Sequence, residues 1–105
     1  MLGDMFGNME EKQQEMRERL AEITVEGSAG DGAVLVKANA NREILNISIK
    51  KEAIDIEDLE QLEDLIIVAT NRALEEAMAI EAKEAENLLK DMMPPGLGGL
   101  GDLFG

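Results

Sequence analysis

Leu62-Glu63-Asp64-Leu65-Ile66-Ile67-Val68-Ala69 is the stretch that decides the fold. Successive residues of a helix are turned by about 100°. Leu62, Leu65, Ile66, Ile67 and Val68 therefore spread apolar surface around most of the circumference. A helix with one wet side needs only a stripe. This one asks for two dry neighbours: its own sheet, and a second copy of the chain. Those five residues are the candidate dimer interface.

The helix around this stretch is expected over residues 55–93. Asp55 is a good N-cap, and Glu57 and Asp58 place acids where the helix dipole favours them. From Glu75 to Asp91 the helix becomes polar, with Ala77, Ala79, Ala82 and Ala85 among its acids. That half is expected to project beyond the sheet. Met92-Met93-Pro94-Pro95 ends it, because proline cannot continue a helix. Residues 94–105, PPGLGGLGDLFG, read as a flexible Pro/Gly-rich tail.

Upstream the period changes from helical to alternating. Strands are expected at about Thr24–Ser28, Val34–Ala40 and Ile44–Ile49. Gly27-Ser28-Ala29-Gly30-Asp31-Gly32 forms the first turn cluster, and Asn41-Arg42 the second turn. Ile47 and Ile49 alternate with Asn46 and Ser48, the mark of a sheet with one dry face. Before the strands, residues 8–24 read as a helix. Asn8 is its candidate N-cap, with Glu11 three residues on. Met9, Met16, Leu20 and Ile23 make one narrow apolar stripe. Residues 1–7, MLGDMFG, read as a tail. The fold class is thus α+β, with one domain over residues 8–93: helix, three-stranded antiparallel sheet, long helix.

Composition narrows the function. The 105 residues hold no Trp, Tyr, Cys or His, and two Phe near the ends. A core of Leu, Ile, Val, Ala and Met lacks large aromatic anchors and leans on interfaces. Without His or Cys there is no Ser or Cys triad and no zinc site of the usual kind. Carboxylate pairs such as Glu63/Asp64 and Glu75/Glu76 lie on helix faces that should be wet, which is poor ground for acid–base chemistry. Gly27–Gly32 joins two strands and lacks the phosphate-loop spacing. No catalytic, metal or cofactor residues are therefore assigned, and the chain is read as a non-enzyme. No apolar run is long enough to span a membrane and no signal segment opens the chain, so a cytoplasmic address is expected.

The net charge is −13, yet it is segregated. Residues 33–51 hold four bases against one acid. Residues 55–91 hold twelve acids against three bases. A basic strip on an acidic body can still meet phosphates locally. The candidate contacts, chosen by charge position, are Lys12, Arg17, Arg19, Lys37, Arg42, Lys50 and Lys51.

Gly30-Asp31-Gly32-Ala33-Val34-Leu35-Val36-Lys37-Ala38-Asn39-Ala40-Asn41 resembles the G-x-G-x-V-K-V-x-x-N hairpin of the YbaB/EbfC nucleoid-associated family. Glu43-Ile44, Ile47 and Ile49 resemble its next strand. Leu62-Glu63-Asp64-Leu65-Ile66, with Ala69, Asn71, Ala73 and Leu74, is similar to its L-E-D-L-[IV]-x-x-A-x-N-x-A-[LI] helix. Pro94-Pro95-Gly96-Leu97 is similar to its ending. The resemblance covers about residues 8–97. It departs at Lys50, where the family commonly has Asp, and in overall acidity. It implies a tweezer-shaped homodimer in the cytoplasm, associated with the nucleoid, that binds DNA and alters its conformation. Roles in gene expression, nucleoid organisation or DNA protection go with it. The rival expectation is an acidic adaptor that grips a replication, repair or transcription protein through the helix projections or the GDLFG tail.

Overall fold

The structure, a computed structural model, describes residues 2–92, with side chains described for residues 7–91. Helix α1 spans Leu2–Glu22, strands β1, β2 and β3 span Thr24–Ala29, Val34–Asn39 and Ile44–Ile49, and helix α2 spans Leu59–Met92. A single 3₁₀ turn, Lys51–Ala53, links β3 to α2. The sheet is antiparallel throughout, in the order β1-β2-β3. The expected α+β class and element order are those observed.

Three boundaries differ from expectation. First, α1 starts at Leu2, so the tail expected over residues 1–7 is helical from residue 2 and Asn8 lies inside the helix. Gly3 and Gly7 each cost about 1 kcal/mol relative to alanine in a helix, too little to stop one. Second, Asp58 caps α2 in place of Asp55, its Oδ1 accepting from the Gln61 backbone N–H at 3.1 Å. Asp55 instead builds the preceding turn by accepting from the Glu57 N–H at 3.0 Å. Third, β1 runs on to Ala29, so Gly27 serves the strand alone and the first turn narrows to the residues around Gly30, Asp31 and Gly32, all at positive φ. The expected tail over residues 94–105 lies outside the described residues.

The core lies between α2 and the β1–β2 half of the sheet. Its buried members are Val25, Ala29, Val34, Val36, Ala38, Ala69, Ala73 and Ala77, with Leu62, Leu65, Ile66 and Ile80 packed around them. Ala69, Ala73 and Ala77 recur every fourth residue, so they stack on one face of α2. That face sits directly on Gly27, where an added Cβ would fall within the backbone of Ala69 and Ala73. Glycine is required there by close approach of the helix. Arg72 Nη1 fastens the same contact by donating to the Ser28 carbonyl at 2.7 Å.

Strand β3 carries the dry face of the sheet past the edge of α2. Ile49 pairs with Val34, Ile47 with Val36 and Ile44 with Ala38. Cross-strand partners share a face, so all three isoleucines extend the buried face of β2. Ile44 reaches that face because the register shifts opposite Lys37 and Ala38, leaving Leu45 without a partner. Helix α2 packs on β1 and β2. The three isoleucines are left 41–44 % exposed, beside β2 valines at 0 %.

Candidate nucleic-acid interface

Five of the basic candidates fall into two groups at opposite ends of the sheet, whose six-residue strands run roughly 20 Å, while Lys37 lies within β2 and Lys12 further back along α1. At the far end of β3, Lys50 and Lys51 are exposed and lead into the 3₁₀ turn. The Lys50 backbone N–H donates to the Ala33 carbonyl at 2.9 Å. Its side chain bends over the first turn, with Nζ 3.7 Å from where a Cβ on Gly32 would stand. Neither lysine makes an ion pair among the described residues.

The other group gathers where the β2–β3 turn meets α1. Asn39 builds that turn: its Oδ1 accepts from the N–H groups of Asn41 and Glu43 at 3.0 and 3.1 Å, and its Nδ2 donates to Glu43 Oε1 at 2.9 Å. The turn places Arg42 at φ 66°. It also caps α1: the Ala40 N–H donates to the Leu20 and Ile23 carbonyls, and Asn41 Nδ2 donates to the Arg17 carbonyl at 2.7 Å. With the buried side chain of Leu20, these bonds tie α1 to the sheet at its C-terminal end.

Three of the seven candidates are ion-paired. Arg42 Nε lies 3.3 Å from Glu81 Oε2, Arg19 Nη2 3.8 Å from Glu84 Oε2, and Lys37 Nζ 3.9 Å from Glu26 Oε1. Arg17 is exposed on α1 and Lys12 is half-buried there. One face of α1 is acidic, with Glu10, Glu11, Glu15 and Glu18 along a shallow groove. The seven bases therefore do not merge into one strip. Pairing of these bases with glutamate is the ordinary expectation, but nothing local in the sequence singles out Glu81 and Glu84 as the partners. A count of charge per segment separates helix from sheet and is blind to pairs that close across the fold.

Between α1, the β2–β3 turn and the distal half of α2 lies a cleft of about 720 Å³, lined by Met9, Met16, Leu20, Leu88 and Leu89 with Arg17 and Arg42 at its edge. No group of His, Cys, Asp and Glu among the described residues has the arrangement of a metal site. No described helix is long and apolar enough to cross a membrane.

The five candidate interface residues divide. Leu62, Leu65 and Ile66 pack against the chain's own sheet. Ile67 and Val68 are 57 % and 40 % exposed.

Helix, antiparallel three-stranded sheet and long helix define a small α+β protein, with exposed basic side chains at both ends of its sheet. The profile of the YbaB/EbfC DNA-binding family matches residues 1–92. A nucleoid-associated protein of Chloroflexus aurantiacus is 40 % identical over 103 residues, covering 98 % of this chain and 95 % of the relative. The nucleoid-associated protein YaaK of Bacillus subtilis is 47 % identical over 77 residues, covering 73 % and 72 %. An uncharacterized protein of Helicobacter pylori shares the fold, with a TM-score of 0.73 at 22 % identity over 84 % of this chain and 92 % of that one. The chain belongs to the YbaB/EbfC DNA-binding family of nucleoid-associated proteins.

Proposed function

We propose that this protein is a homodimer of the cytoplasmic nucleoid that holds duplex DNA chiefly through its phosphate backbone and changes the conformation of the DNA. Organisation of the nucleoid, with effects on gene expression or DNA protection, is the role that follows. Lys50 and Lys51 carry the reading: adjacent, exposed and without an ion pair among the described residues, on a chain where Arg19, Lys37, Arg42 and Lys90 are each held by a glutamate. Lysine neutralises phosphate as a point charge and carries no base readout.

Pairing doubles this patch, so a dimer offers four such lysines. The bare isoleucines of β3, with Ile67 and Val68, are the apolar surface a second copy would cover. Four neutralised phosphates predict a loss of roughly a hundredfold in affinity between 50 and 200 mM salt. The acidic body, at −13 per chain, keeps binding weak unless salt is low.

The test is a gel-shift series at two salt concentrations with Lys50→Glu plus Lys51→Glu. Retention should fall at least tenfold, with the circular dichroism and molar mass unchanged. Unaltered retention removes the patch.

The apolar cleft beside α1 favours a second reading, an acidic adaptor for a replication, repair or transcription protein. A protein captured after nuclease treatment and lost on deleting residues 94–105 would support that reading over the first.

A further inference from the structure

We propose that Glu81 and Glu84 of α2 form an acidic latch: they occupy Arg42 and Arg19, and a polyanion gains those two arginines only by displacing them. This rests on the DNA-binding reading for its ligand, although the masking itself does not.

The geometry is built from three elements. Glu81 and Glu84 are three residues apart on a helix, so they share one face. Arg42 reaches that face from the β2–β3 turn and Arg19 reaches it from α1. Neither arginine arrives by chance. Arg42 is set by the Asn39 turn, and α1 is tied to that turn through Ala40 and Asn41. The latch therefore joins α1, the sheet and α2 at one point, with Arg42 and Glu81 also lining the cleft.

Exposure makes the pairs exchangeable. The arginine side chains are 59 % and 53 % exposed, while those of Glu84 and Glu81 are 27 % and 36 % exposed. The cations thus face solvent and the carboxylates sit behind them. Ion pairs this open are weak and screened by salt. A phosphate oxygen can replace each carboxylate oxygen on the guanidinium, with bidentate geometry available. What the carboxylates impose is a threshold: a single anion gains little, whereas a backbone presenting several phosphates displaces both. A chain of net charge −13 thereby keeps two of its few bases in reserve for a dense polyanion.

The experiment compares the wild type, Glu81→Gln plus Glu84→Gln, and a charge-matched control, Glu75→Gln plus Glu76→Gln. The control residues lie on the same helix and form no ion pair among the described residues. Each protein is titrated with duplex DNA at low salt and eluted from a heparin column. The latch variant should bind DNA roughly tenfold more tightly and elute at higher salt, with the control gaining less than a third as much. In an Arg19→Gln plus Arg42→Gln background the gain should vanish. Equal gains for latch and control variants, or a gain that survives loss of both arginines, overturn the latch in favour of bulk charge. If DNA binding is absent from every protein while heparin elution still shifts selectively, the DNA reading fails and the latch stands.

Discussion

Strands β2 and β3 are adjacent, equally long and both rich in branched apolar residues. Val34, Val36 and Ala38 of β2 lie at 0 % exposure, while their cross-strand partners Ile49, Ile47 and Ile44 lie at 41–44 %. The strands differ in what covers them. Helix α2 crosses β1 and β2, drawn close by Gly27 against Ala69 and Ala73, and stops short of β3. The tight contact that secures one side of the sheet is made with small residues, so the single-chain core is rich in alanine and its large buried side chains are Leu20, Val34 and Val36. A domain of this size with such a core gains much from a second copy over β3.

The comparison breaks most severely at β2. Val36→Asp puts a carboxylate into a fully buried site and should cost about 4–5 kcal/mol or more, removing the cooperative unfolding transition in urea. The matching change in β3, Ile47→Asp, should leave the far-ultraviolet circular dichroism intact and halve the molar mass. Equal unfolding by both changes would mean that β3 is covered within its own chain. Gly27→Ala should cost about 2–3 kcal/mol, because the methyl meets α2 backbone that cannot step aside. A melting temperature unchanged by that substitution would show that the helix lies further from the sheet. Asn39→Ala removes three hydrogen bonds from the β2–β3 turn and should cost about 2 kcal/mol, read as a shift in the urea midpoint. Arg42→Ala should change stability by less than about 1 kcal/mol, since its ion pair with Glu81 is largely exposed.

Much of this architecture can be read from the chain before the fold is seen. Alternation around Ile47 and Ile49, the Gly30-Asp31-Gly32 turn and the proline pair after α2 mark the elements through local physics. Features that depend on packing between distant residues escape that reading. Gly27 looks like part of a turn because glycine serves both turns and close contacts, and only the helix above it tells them apart. The Ala69, Ala73 and Ala77 spacing was the available clue. Ile44 is out of step with Ile47 and Ile49, and the bulge at Leu45 that realigns it is set by β2. Arg19 and Arg42 carry no local sign of their partners, which lie about 40–65 residues away in sequence. The apolar density at Leu62–Val68 asks for two-sided burial; the chain's own sheet takes Leu62, Leu65 and Ile66, and Ile67 and Val68 stay exposed.

Multi-angle light scattering on the purified chain and on Ile47→Asp is the most direct trial of the uncovered strand. A mass near twice 11.4 kDa for the unaltered protein, falling to a folded 11.4 kDa species in the variant, is the expected result. A folded species of 11.4 kDa from the unaltered chain at working concentration would contradict it, and with it the doubling of the lysine patch.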